Sequence, residues 1–295
     1  MKDRNSESSI SKQKLKRIEA VELLRLLPEE QNKKKELLYN SRPFVLCGLP
    51  VKKPKKEVLV HERRNGKFRL RIVGDPILGL PFGQDRLIPL LVSTLAVKQQ
   101  SRLVRFRSGA EILEIFDLPK DGPHYRRLVD GFKRIFNATI FFGEEDDLVY
   151  ESGRFHFFDH IRIWTHKTQL IQQQQLPGEF ENSVLLSEVF WKELKEHPIP
   201  VDLDVVRAFA NAPGLLDFYT WLIWRQWRVN KTGATTKIPI QALIGQLGIS
   251  ERTTPKEFKR TLGKWIKQIR LLNPDATLLI DHSHLILVPT SRSVK

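Results

Sequence analysis

The chain of 295 residues holds one cysteine, Cys47, so it has no partner for a disulfide within the chain. That excludes a disulfide-stapled secreted scaffold and suits a reducing compartment. A lone cysteine among apolar neighbours reads as a small buried side chain, not as a reactive thiol. Apolar runs are short, and none reaches the roughly eighteen residues that a membrane-spanning helix requires. Met1 to about Lys35 is polar and charged and has no apolar stretch of the signal-peptide kind. The setting these absences imply is cytoplasmic. Carboxylates are also in deficit: 34 Asp and Glu stand against 49 Lys and Arg, a formal net charge of +15. A surplus of that size attracts polyanions such as nucleic acid or an acidic membrane surface. A basic soluble protein with no polyanion partner is the plainer alternative.

Catalytic constellations are missing as well. There is no G-x-x-x-x-G-K-[ST] phosphate loop. The glycine-rich run from Gly74 to Gly83 carries Pro76 and Pro81 where a phosphate cradle needs free N–H groups. Zinc sites usually draw on paired cysteines. His156, His160 and His166 cluster in sequence, and positions four apart on a strand share a face, but isolated strand histidines are the commoner case. A nicking enzyme needs a nucleophilic tyrosine beside metal-binding histidines; Tyr39, Tyr125, Tyr150 and Tyr219 have no such context. The sequence therefore predicts a non-enzyme with no cofactor and no metal.

With 41% hydrophobic residues, the chain can build a substantial core. Residues 1–56 read as a basic N-terminal extension and linker. Within it a helix is predicted over 14–38, and Lys52, Lys53, Lys55 and Lys56 surround Pro54. Residues 57–64 and 67–73 alternate apolar and polar around Asn65-Gly66, a strong hairpin signal. An amphipathic helix follows over 85–98, with Leu87, Leu90, Leu91, Thr94 and Leu95 on one face. Then come a strand at 103–107, a short helix at 110–117, a long helix at 125–136, and strands at 139–142 and 154–164. The Gln-rich stretch 169–182 is the expected linker between a first domain, 57–168, and a second, 183–295. The second opens with a strand at 183–186 and a helix capped by Ser187 that ends at the Pro198 and Pro200 pair. Helices at 202–211 and 215–227 follow, then a strand at 237–240, a short helix at 242–247, a helix from Pro255 to about Leu272, and strands at 277–280 and 285–288.

The order helix, strand, short helix, long helix, β-hairpin thus occurs twice. In the first long helix Tyr125, Val129, Phe132 and Phe136 recur at i, i+4, i+7 and i+11; in the second, Phe258, Leu262, Trp265 and Ile269 do the same. The opposite faces are basic: Arg126, Arg127, Lys133 and Arg134 in the first, and Lys256, Lys259, Arg260, Lys264 and Lys267 in the second. A short helix, a turn and a basic amphipathic helix make a helix-turn-helix, and a hairpin after it makes a winged helix. The predicted fold is α+β, two tandem winged-helix domains behind a basic N-terminal extension. The nine cations are the candidate DNA contacts. Arg127 and Arg260, near the starts of their helices, are the best placed to read guanine edges.

Several segments carry a family resemblance. They are Gly79-Leu80-Pro81-Phe82-Gly83-Gln84-Asp85-Arg86, Tyr125-Arg126-Arg127-Leu128, Ile140-Phe141-Phe142-Gly143, Leu186-Ser187-Glu188-Val189-Phe190-Trp191, and Ala212-Pro213-Gly214-Leu215-Leu216-Asp217-Phe218-Tyr219. In this order the chain resembles the plasmid-encoded RepA replication initiators, from about Pro43 to near its C-terminus. The resemblance implies binding to repeated sites in double-stranded plasmid origin DNA and recruitment of the host replication initiator and helicase machinery. It also implies autorepression as a homodimer. A winged-helix transcriptional regulator without an initiator role is the alternative. A basic scaffold or RNA-binding protein is a third reading.

Overall fold

The computed structural model describes residues 36–163, 182–247, 249, 253–272 and 278–290. The helix expected over 14–38 and the linker expected over 169–182 lie almost wholly outside them. Where the first of these ends, Leu37–Asn40 form a strand, β1, followed by a short helix α1, Arg42–Cys47.

The hairpin signal is borne out by β2, Val60–Asn65, and β3, Phe68–Val73, paired antiparallel. The turn sits one residue further on than Asn-Gly suggests. Asn65 pairs with Phe68, so Gly66 and Lys67 are the central residues, and Gly66 has φ +61°. Glycine at the first central position with positive φ matches a II′ turn, whose twist suits the flanking strands.

A 3-10 turn, Gly83–Arg86, leads into α2, Leu87–Gln99. The expected one-sided helix is buried on all sides from Leu87 to Thr94. It lies against β1 and against β4, Leu103–Phe106, and a helix covered all round has no polar face to keep. Then follow α3, Gly109–Ile115; α4, Gly122–Asn137; and the strands β5, Thr139–Glu145, β6, Tyr150–His156, and β7, Phe158–Arg162. One sheet has the order β2-β3-β5-β6.

The strand expected to open the second domain is β8, Asn182–Leu186, and it joins the first half instead. It pairs with β4 (Leu103 opposite Leu185) and with β7, giving a sheet of order β4-β8-β7. Helix α5, Glu188–Glu196, follows, capped by the Ser187 hydroxyl as expected. Its Phe190 sits in an aromatic cluster with Phe44, Phe155 and Phe157, ring centroids 4.5 to 6.4 Å apart. The proline pair then begins β9, Ile199–Asp202, which pairs with β1, Pro200 opposite Tyr39. Proline is tolerated in so short a two-stranded ribbon because an edge strand need not offer every N–H.

The remaining elements are α6, Leu203–Phe209; α7, Pro213–Thr232; β10, Thr236–Pro239; α8, Ile240–Gln246; α9, Pro255–Leu272; β11, Leu278–Ile280; and β12, His284–Leu287. The last sheet has the order β10-β12-β11. The repeated order read from the sequence is therefore present: α2, β4, α3, α4 and the β5–β6 hairpin, then α7, β10, α8, α9 and the β11–β12 hairpin. The copies differ in their sheets, because β10 pairs with a strand of its own hairpin whereas β4 pairs with β8.

One continuous buried cluster runs through both copies. α1 packs on α7, and α8 lies against β2, which covers that edge of the four-stranded sheet.

Candidate nucleic-acid interface

Helix α9 begins with a capping box. The Thr254 hydroxyl accepts the Glu257 N–H at 3.3 Å, and the Glu257 carboxylate accepts the Thr254 N–H at 3.0 Å. Pro255 takes the first helical position, where its missing N–H costs nothing. The Thr254 N–H first, and then the Thr254 hydroxyl, which also donates to the Glu257 carboxylate at 2.9 Å, hold that carboxyl below its ordinary range. Phe258, Leu262, Ile266, Ile269 and Leu272 are buried. Trp265 packs between Phe258 and Phe218, at 5.9 and 5.7 Å. The expected apolar face is thus present, widened by Ile266.

The other side of α9 is cationic. Lys256, Arg260 and Lys267 are exposed, and Lys259 and Lys264 are half-buried. Glu257, committed to the cap, is the sole carboxylate of the helix. The Lys259 ammonium donates to the His282 carbonyl at 3.4 Å, tying the helix to the tip of the β11–β12 hairpin. That tip is ordered by Asp281, whose carboxylate accepts the N–H groups of Ser283 and His284 at 2.8 and 2.6 Å and is held below its usual range by them.

Helix α4 starts at an Asp121 cap that accepts the His124 N–H at 2.9 Å. Its buried side is Val129, Phe132 and Ile135, with Leu128 and Phe136 packed partly against the core. The helix is therefore rotated from the expected Tyr125–Phe136 stripe. Gly131 faces the 3-10 turn so closely that a Cβ there would lie 2.7 Å from an Asp85 oxygen.

That rotation divides the four cations expected on α4. Arg126, Arg127 and Lys133 are exposed. Arg134 is not a solvent-facing contact: its guanidinium donates to both Asp85 oxygens, at 2.7 and 2.8 Å, and lies 4.7 Å from the Phe82 ring centroid. It sits one turn beyond Gly131, on the side of α4 that meets the 3-10 turn. Arg127 donates to the Gln84 amide oxygen at 3.1 Å, at the surface.

The segment Gly79–Arg86, one of those that carry the family resemblance, is a junction. Gln84 receives Arg127 and donates to Asn211 at 2.6 Å. Asp85 receives Arg134 and accepts the Phe82 N–H at 2.9 Å. Arg86 donates to both Asp217 oxygens on α7, at 2.7 and 2.8 Å, and to the Leu49 carbonyl at 2.8 Å. Burial pushes the Asp217 carboxyl up, and the Arg86 charge opposes that shift. Three consecutive side chains thus hold α4, the α6–α7 connection and α7. The motif was visible in the sequence; its long-range partners, 37 to 131 residues away, were not.

The hairpins differ in charge. The β5–β6 tip carries Glu144, Glu145, Asp146 and Asp147. Lys67 pairs with Glu144, and Arg64 reaches Glu145 at 2.8 Å. The tip of this hairpin is therefore acidic, its carboxylates held in part by cations of the β2–β3 hairpin. His156 and His160 fall on successive strands, β6 and β7, and His166 lies outside the described residues. Among the described residues no group of three or more His, Cys, Asp or Glu is gathered to hold a metal, and no helix is long and apolar enough to cross a membrane.

Two basic helices, each preceded by a short helix and followed by a hairpin, define a tandem α+β fold that solved structures share. A crystal structure of domains 2 and 3 of RctB, as the selenomethionine derivative, superposes with a TM-score of 0.56 at 10% identity, covering 82% of this chain and 96% of that one. A second structure of RctB domains 2–3 gives 0.51 at 12% identity, covering 84% and 96%. Residues 125–238, from α4 to β10, match the family model described as plasmid encoded RepA protein, which bears out the resemblance drawn from the sequence motifs. No curated protein matches the chain.

Proposed function

We propose that the chain is a non-catalytic, sequence-specific binder of double-stranded DNA that initiates plasmid replication at repeated origin sites. In this reading each copy of the repeated order is a winged helix, and α4 and α9 are the recognition helices. The observation that carries it is the pair of cationic helix faces, each backed by a buried apolar side, in a chain matched by the plasmid RepA model. An apolar side fixed to the domain leaves the charged side free to enter a major groove.

Arg260 and Arg127 read base edges in this account, since a guanidinium can bond a guanine at two points. Lys256, Lys267, Arg126 and Lys133 grip phosphates and set register without reading sequence. Lys259 and Lys264 contribute from the margin of α9, and Lys259 also steadies the hairpin beside it. Autorepression as a homodimer and recruitment of the host initiator and helicase complete the reading.

The test is replication in trans. A plasmid carrying the origin but no initiator gene is maintained when the chain is supplied separately. Arg260→Ala abolishes maintenance while the protein stays folded. Maintenance unaffected by Arg260→Ala and Arg127→Ala together removes the recognition helices from the account. Repression of a promoter without any support of replication supports a transcriptional regulator instead.

A further inference from the structure

The C-terminal half of α7 turns an aromatic and cationic face to solvent. At about 100° per residue, Trp227, Arg228 and Lys231 fall on the exposed side of the helix, away from the buried Phe218 and Val229, with Trp224 at its margin, half-buried and packed partly against the core. Trp227 is 57% exposed, unusual for the largest apolar side chain. Each indole carries a cation one turn further along: the Arg228 guanidinium lies 5.2 Å from the Trp224 ring, and the Lys231 ammonium 5.2 Å from the Trp227 ring. These pairs hold the rings in place. No carboxylate occurs in the sequence between Asp217 and Glu251.

We infer that this face of α7 is a binding platform for single-stranded DNA. Indoles stack on unpaired bases while neighbouring cations hold the backbone, and such binding tolerates any sequence because every base has a π-face. A closed duplex hides those faces, so the platform discriminates by strandedness and not by base edges. The two cations of the face, Arg228 and Lys231, in a stretch of sequence without a carboxylate, fit a polyanion and disfavour a basic or purely apolar protein partner. The choice of DNA over RNA rests on the initiator reading above. A protein that holds duplex repeats through α4 and α9 has a use for a second surface that captures a separated strand.

The experiment is fluorescence anisotropy of the full chain with labelled oligothymidylate, oligouridylate and origin duplex. Trp227→Ala weakens oligothymidylate binding by about tenfold, the effect of losing one stacked base, and leaves the origin duplex unchanged. Trp227→Phe keeps most of the single-strand affinity. Arg260→Ala does the reverse, weakening the duplex and sparing oligothymidylate. If Arg260→Ala has no effect on either ligand while Trp227→Ala keeps its effect, the initiator reading fails and the platform stands. The platform is overturned if Trp227→Ala binds oligothymidylate as the native chain does. It is equally overturned if oligouridylate is preferred, or if Trp227→Ala weakens duplex and single strand alike.

Discussion

Arg134 and Asp85, 49 residues apart, close a two-point ion pair in which the carboxylate is 3% exposed and the guanidinium 12%. The contact binds the last turn of α4 to the 3-10 turn and takes Arg134 away from solvent. Removing one partner of a buried pair strands the other charge, at about 3–5 kcal/mol. Arg134→Ala is therefore a stability variant: its melting temperature falls well below that of the native chain, while the fraction that stays folded binds duplex DNA with native affinity. Arg127→Ala, at the surface, shows the opposite pattern. Calorimetry beside a binding titration separates the two, and a weakened Arg134→Ala of native stability contradicts the assignment.

Arg86 and Asp217 make the same kind of contact across 131 residues, joining the turn to α7. Either single truncation, Arg86→Leu or Asp217→Leu, costs about 3–5 kcal/mol in chemical denaturation. The double variant recovers part of that loss, because no charge is left unpaired. Strictly additive losses would show that the two groups do not stabilise one another.

His61 supplies a pH dependence. Burial first, then the Arg63 charge, lowers its pKa from 6.5 to about 3, while its ring accompanies the Gly48 carbonyl at 3.2 Å. The folded state holds the ring neutral, whereas the unfolded chain takes up a proton below about 6.5. The stabilisation is complete above that pH and is lost progressively as pH falls toward 3. Each unit in that window costs about 1.4 kcal/mol. His61→Gln unfolds with a shallower dependence between pH 6.5 and about 4.5 than the native chain, and an identical dependence would rule His61 out as its source.

Phosphate grips are separable from base readers by salt. Lys256→Ala and Lys267→Ala each lower the slope of log affinity against log salt by about one, equally on origin and unrelated duplex. A loss confined to the origin duplex would make that lysine a base reader.

Much of this architecture was legible locally. Pro255 at a helix start and the spacing of Phe258, Leu262 and Ile269 marked α9 to its last residue. Asn65-Gly66 marked a hairpin, one residue out of register. What stayed hidden was set by distant partners. β8 looked like the start of a second domain because its partner β4 lies about eighty residues upstream. β9 was concealed by Pro200, which a short edge strand tolerates. Among the nine candidate contacts, Arg134 was turned inward by a carboxylate that no helical periodicity could reveal.

The most direct test is equilibrium binding of the full chain to origin duplex and to a scrambled duplex of equal length, at fixed salt, with Arg260→Ala and Arg127→Ala alongside. The account predicts a preference for the origin of about a thousandfold or more and a loss of about 1–3 kcal/mol for each variant, felt on the origin and not on the scrambled DNA. Equal affinity for both duplexes, changed by salt and not by either arginine, would contradict it.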